Sequence, residues 1–432
     1  MSTRRSFLGT LAGATAALPA FHPHAVRRLR DAAAAAGGRP AAELADDEAY
    51  WGEIRRAFDL DQTLVNLNNG GVSPTPSHVL AQMERDLRFA NELPVEHMWG
   101  VLEPRIEQVR RELAREFGCD TEEMAITRNA SEALETLIFG LDLKPGDEVI
   151  VTTQNYPRML TAWETRARRH GIVLKRITFD VPPPSADYLV ERFAQAMGPR
   201  TRVVEVTHIT NLTGQIMPVR RIVDMARARG IETFVDGAHA FAQFPFTRDE
   251  LGVDYYGTSL HKWLLAPVGT GFLYVRKAKQ RALWPLMAAP AAMDEDVRKY
   301  EEIGTHPAAN HNAIASALTF HRAIGAERKA ARLRFLRDRW ARRVQKEAPD
   351  RARILTPLDD PKQACGIGFV ALTGVDPEKM TVWLRRKHGI VVTPITHAQF
   401  AGLRVTPNVY TTPAEVDLLA EKLVDGLKNG VA

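Results

Sequence analysis

Between Met124 and Val275 the chain repeats one pattern, a short unbroken apolar run followed by an amphipathic stretch. The runs are MAIT (124–127), EVIVT (148–152), IVLKRITF (172–179), RVVEVT (202–207), ETFVD (232–236), YYGTS (255–259) and GFLYV (271–275). Helical periodicity fills most of the gaps, at 130–141, 157–170, 186–197 and 219–230. Strands this apolar read as buried on both faces. Joined through helices, they form a mostly parallel sheet covered on both sides, an α/β architecture. The Arg-rich helical stretch from Leu318 to Ala348 is expected to be a solvated connector. Residues 365–428 read as strand, helix, short strands and a last helix, a smaller α+β domain. The expected organisation is a leader and linker over 1–36, an N-terminal segment over 48–75 that joins the small domain, a large α/β domain over 76–310, and the connector helix with the small C-terminal domain over 311–432.

At 432 residues and 45% hydrophobic, the chain can fill a large core or two domains. The net charge of +5 says little about partners. The first 30 residues carry five of the 57 basic side chains and no acid, so the remainder balances at 52 of each sign. Basicity therefore gives no support for a nucleic-acid partner. No apolar run is long enough to span a membrane. Cys119 and Cys365 have no metal-ligand spacing, and no metal site is expected. The extreme N-terminus reads Arg4-Arg5-Ser6-Phe7-Leu8, followed by an Ala/Gly-rich stretch. That order matches a twin-arginine export signal and predicts a periplasmic protein. The pathway carries folded proteins, which suits an enzyme that acquires a cofactor before export.

In open α/β sheets ligands bind beyond the carboxyl ends of the strands, and the polar residues of interest lie there. Asn129, Ala130 and Ser131 open a helix after the first run, where backbone N–H groups and the helix dipole favour an anion; a plain helix cap is the blander reading. Asp236 ends the ETFVD run with His239 three residues on, Asn211 follows a third run, and Tyr156 follows a fourth. Each alone is more often structural. Lys262 lies in SLHKWLLAP, a costly place for a charge. Either it snorkels to water on its long stem, or it is an amine whose pKa the site lowers. Ser259 and His261 precede it. Together these residues offer an anion cradle, an acid for a ring nitrogen, a ring to stack and an amine, the inventory that pyridoxal phosphate requires.

The segments VDGAHA and YYGTSLHKWLLAPVGTGFLYV resemble the class V aminotransferase family of fold type I pyridoxal-phosphate enzymes, its isopenicillin N epimerase-like and exported branch above all. The resemblance runs from about Leu64 to Ala420 and implies a large, mostly parallel domain that binds pyridoxal 5'-phosphate and a smaller α+β C-terminal domain. It makes Lys262 the Schiff-base lysine and Asp236 the partner of the pyridine nitrogen. It gives Tyr156 the ring-stacking position and places His239 and Asn211 near the phenolic oxygen. Ala130, Ser131, Ser259 and His261 fall at phosphate-binding positions, and Asn129 beside them is expected to bind the cofactor. Within EEIGTHP, Thr305 matches a residue that reaches the neighbouring subunit's phosphate, which implies a homodimer. Arg404, in GLRVTPNVYTT, matches the arginine that binds a substrate carboxylate. The loop NLNNGGVSPTP, with Asn69, lines the mouth in the epimerase-like branch.

Cysteine desulfurases carry a mobile catalytic cysteine shortly before that arginine, and the matching stretch GIVVTPITHAQFAG has none. The expected activity is aminotransferase-like, on an amino acid or a peptide-linked amino group. An epimerase of the isopenicillin N type or a lyase is the alternative, because all begin by removing the same α-proton.

Overall fold

The computed structural model describes Asp31, Ala34 and residues 36–431. The Arg4–Arg5 segment lies outside the described residues. The strand β1 (Val65–Asn66) comes first in the chain. The seven apolar runs then become β2 (Met124–Thr127), β3 (Glu148–Thr152), β4 (Val173–Ile177), β5 (Thr201–Thr207), β6 (Glu232–Asp236), β7 (Tyr255–Ser259) and β8 (Gly271–Val275). They form one sheet in the order β2-β8-β7-β6-β5-β3-β4. From β7 to β4 every pairing is parallel, and β8 is antiparallel to both neighbours.

The period of two along each strand serves two cores. Ile150, Val204, Val206, Val235, Tyr256 and Phe272 face one, with helices Glu103–Phe117, Val219–Arg227 and Ala308–Ile324. Val149, Val151, Val203, Phe234, Tyr255 and Leu273 face the other, with helices Ala130–Gly140 and Pro157–His170. The expectation of a fully buried run at 172–179 fails. β4 is shorter and only Ile177 is buried, because it is the edge strand.

The second sheet holds β9 (Ala352–Ile354), β10 (Gly368–Leu372), β12 (Thr393–His397) and β13 (Phe400–Val405), antiparallel in the order β12-β13-β10-β9. Helices Ala326–Glu347, Pro377–His388 and Pro413–Asn429 pack against it. β1 pairs in parallel with β11 (Ile390–Val391), and Arg55 bonds Glu415, so the segment before residue 75 is built into this unit.

The Arg-rich stretch is not a solvated connector. It contains a break at Gly325, whose φ of 90° favours glycine, between Ala308–Ile324 and Ala326–Glu347. Arg332 and Arg337 are each 1% exposed. Arg332 donates to the Ala45 and Thr411 carbonyls and to the Glu48 carboxylate, and Arg337 to the Cys365 carbonyl and the Asp338 carboxylate, while the stems pack among apolar side chains.

Candidate active site

A cavity of about 460 Å³ opens beyond the carboxyl ends of β2, β3, β5, β6 and β7. Asn129 is fully extended before the helix Ala130–Gly140, and its Oδ1 accepts from the Glu132 N–H at 2.9 Å. That is an N-cap, and it turns the helix's positive end to the cavity. Ser259 Oγ, from the end of β7, accepts from the Ala130 N–H at 2.9 Å. β8 makes this approach possible. A Cβ on Gly271 would stand 2.6 Å from Thr258 O and 2.8 Å from Asn129 Cα. Ser131 completes this wall.

Asp236 is 3% exposed, and its Oδ1 accepts from the Ala238 N–H at 2.9 Å. Burial raises its pKa; the Ala238 N–H and the nearby Lys262 charge oppose that rise. Lys262 Nζ lies 3.1 Å from His239 Nε2. Burial lowers the lysine pKa to about 8, Asp236 opposes the fall and Arg404 adds to it. Burial, then the charges of Lys262 and Arg404, hold His239 neutral. Its Nδ1 faces the Trp263 indole N–H at 3.4 Å, and its Nε2 faces the lysine amine. Burial likewise lowers His261, to about 4.

Arg404 reaches the same cavity from β13, 7% exposed. Nη1 donates to Asn211 O at 3.1 Å, and Nη2 to Asn68 Oδ1 at 3.0 Å and Thr393 Oγ1 at 3.3 Å. Burial lowers its pKa to about 10, which leaves it charged at neutral pH. Tyr156 stands at the rim, 42% exposed, as the residue before the helix Pro157–His170.

Two expected residues fall elsewhere. Asn69 is fully buried, and its amide is consumed within the fold: Nδ2 donates to Asn66 O and Thr406 O, and Oδ1 accepts from Asn66 and Tyr410. The neighbours Gly70 and Gly71 line the cavity instead, and Asn68 is the asparagine that holds Arg404. Thr305 is exposed and outside the cavity of its own chain.

Other residues of the site had escaped the sequence reading. Thr207 and Arg158 line the cavity. Glu205, in the middle of β5 and outside the cavity lining, is fully buried and accepts from the Trp163 indole N–H at 2.6 Å. Burial, then the Asp236 charge, raise its pKa to about 8, so it is protonated at neutral pH. The signal was an acid inside an apolar run, which only an unusual environment tolerates.

These residues fit pyridoxal phosphate. Thr207 Oγ1, Asn211 Oδ1, His261 Nδ1 and Arg404 Nε are buried polar atoms without a hydrogen-bond partner among the described residues. Each such group costs about 1–3 kcal/mol unless something bonds it. A helix N-terminus with a serine, a buried acid and a lysine of lowered pKa answer the phosphate, the ring nitrogen and the aldehyde of that cofactor.

Comparison with known proteins agrees. The profile of the aminotransferase class-V family matches residues 65–419. An isopenicillin N epimerase from Streptomyces clavuligerus is 32% identical over 395 residues, 87% of this chain and 98% of the relative. One from Amycolatopsis lactamdurans is 30% identical over 86% of this chain and 98% of its own length. Among solved structures, a cysteine desulfurase from Thermococcus onnurineus NA1 superposes with a TM-score of 0.76 at 21% identity, covering 87% of this chain and 98% of that one. The cystine C-S lyase C-DES superposes with a TM-score of 0.73 at 22% identity, over 84% and 98% of the two chains. The shared fold and the matched profile make this chain a member of the class V aminotransferase family of pyridoxal-phosphate enzymes.

Proposed function

We propose that the protein is an exported aminotransferase-type enzyme that acts on an amino acid or a peptide-linked amino group through Lys262. The observation that carries this reading is the placement of the Lys262 amine, 3.1 Å from a neutral His239, in one cavity with Asp236 and Arg404. Pyridoxal phosphate supplies an aldehyde for an amine and an electron-withdrawing ring. The chain supplies the rest. Asp236 is the anion that keeps a proton at the ring nitrogen. Ser259 and the helix end at Asn129–Ser131 would hold the phosphate. Arg404 offers a guanidinium fork to a carboxylate. Lys262 exchanges a proton at the substrate α-carbon, and its lowered pKa suits a base that works near neutrality.

The full-length likeness to proteins called isopenicillin N epimerase favours epimerisation as the second reading. Sulfur release through an internal thiol has no support. Cys119 and Cys365 both lie outside the cavity, and residues 393–405 form a tight hairpin that turns at Ala398 and Gln399. Incubation with amino acids in deuterated water, with and without a 2-oxo acid, separates the readings. An amino group moved to the acceptor marks transfer. Inversion with deuterium at the α-carbon marks epimerisation, and ammonia with a 2-oxo product marks elimination. Lys262→Ala should lose all of these and the borohydride-stable link to the cofactor. A label on another lysine would overturn the assignment.

Export rests on Arg4-Arg5-x-Phe7-Leu8 and predicts that Lys at both arginines retains the protein in the cytoplasm. A homodimer is supported by exposed Thr305 and by the outward apolar side chains Val95, Trp99, Val268 and Trp284. An active monomer in sedimentation would remove it.

A further inference from the structure

The turn at residues 260–264 follows β7 and carries Lys262, and much of what holds it comes from outside the large sheet. The carbonyls on either side of Lys262 are taken from different directions. His261 O accepts from the Ser73 N–H at 3.0 Å. Trp263 O accepts from the Lys329 amine, on the helix Ala326–Glu347 that packs on the small sheet. Two residues on, Leu265 has a φ of 66°, a left-handed backbone that a non-glycine residue keeps only where its surroundings over-determine it. It is fully buried in one apolar cluster with Tyr50, Trp51, Phe320 and Val409.

Lys329 is fully buried, and no carboxylate of the described residues pairs with it. An amine stripped of water and left without a counter-ion is costlier there than the carbon chain of a methionine. The bond it makes is to the main chain one residue from Lys262. A second tie reaches the group that faces Lys262. Gln243 is also fully buried; its Nε2 donates to His239 O at 2.5 Å, and its Oε1 accepts from the Gly366 N–H at 2.7 Å. Gly366 leads into β10 of the small sheet. Trp263 fills the space between the two ties, clustered with Ala330, Leu333 and Ile367. A Cβ on Gly366 would stand 3.3 Å from its ring. The small domain thus holds the backbones of Lys262 and His239 through separate bonds, behind side chains whose nitrogens stand 3.1 Å apart.

We infer that Lys329 and Gln243 are positioning residues through which the small domain sets the Lys262 amine against His239. The inference rests on the reading of Lys262 as the amine that takes the cofactor. Neither residue lines the cavity, so each acts through the backbone it holds.

The test follows the covalent link between the cofactor-free enzyme and added pyridoxal phosphate by stopped-flow absorbance, over a range of cofactor concentrations. The half-saturation point reports docking in the phosphate cradle. The plateau rate reports attack by the Lys262 amine on the aldehyde, with one water lost as the link forms. Lys329→Met and Gln243→Met keep side-chain length and remove the two donors. Each should lower the plateau about 10- to 100-fold, the scale of a misplacement near 1 Å, with half-saturation within about twofold of the wild type. In the cofactor-free variants the less confined Lys262 amine should also titrate at least about half a unit higher. An unchanged plateau in either variant, whatever happens to its denaturant midpoint, overturns the inference and leaves that residue a structural role. A plateau that holds while half-saturation weakens does the same. Should Lys329→Met fail to fold, Gln243→Met decides alone. A borohydride-stable link on another lysine refutes the reading of Lys262 itself, an outcome distinct from an unchanged plateau with the link on Lys262.

Discussion

In the cofactor-free protein the Lys262 amine should titrate near pH 8, and its two charged neighbours should move that midpoint in opposite directions. Burial lowers the lysine most, Asp236 raises it and Arg404 lowers it. At pH 7 an amine with a pKa of about 8 is roughly 9% unprotonated, against roughly 0.03% for an ordinary lysine, a gain of about 300-fold in reactive form. Asp236→Asn removes the charge that favours the ammonium. A one-unit fall would then raise the free fraction at pH 7 from about 9% to about 50%. Arg404→Gln removes a like charge and should raise the midpoint. The assay is a short pulse of a small aldehyde with borohydride at a series of pH values. The label on Lys262 is quantified by mass spectrometry against exposed Lys144. The opposite signs are the diagnostic feature, because a merely loosened pocket rehydrates the amine and shifts both variants upward. Upward shifts in both, or a wild-type midpoint in the ordinary lysine range, would refute the electrostatic account. Turnover of the loaded Asp236→Asn enzyme should fall by orders of magnitude even as its lysine becomes more reactive.

Glu205 should make stability fall with pH. Its folded pKa is raised from 4.5 to about 8, so the folded state binds the proton more tightly. The resulting stability is fully present below the unfolded pKa and is lost as pH rises through about 8. Glu205→Gln should flatten that slope in urea unfolding between pH 4.5 and about 8, and parallel slopes for the two proteins in that window would contradict it. Gly237→Ala should destabilise by about 3 kcal/mol or more, because overpacking a rigid core is costly. The added Cβ would meet the buried Tyr256 ring 1.9 Å from Cζ. A denaturant midpoint equal to the wild type's would show that the ring yields freely, and Tyr256→Leu should recover part of any loss.

The sequence alone determined the seven-stranded core and most of the residues that line its cavity, because those features are written locally. Apolar runs of strand length declare burial on both faces, and an Asn before a helix or an Asp at a strand end declares itself by position. Asn129, Asp236, His239, Ser259, His261 and Lys262 were legible for that reason, and all six line the cavity. What the sequence left open depends on contacts between distant segments. Only strand order puts Ser259 against Ala130, 129 residues earlier, through a glycine on β8 that clears the way. In NLNNGG the adjacent asparagines are alike as letters. The loop's docking on Thr406 directs Asn69 into the fold and Asn68 to Arg404. The arginines of 326–347 look solvated by composition, yet carbonyls from Ala45, Thr411 and Cys365 bury two of them. Composition and periodicity report how much of a segment prefers water. They do not report which remote carbonyl or side chain will stand in for that water, and tertiary packing decides it.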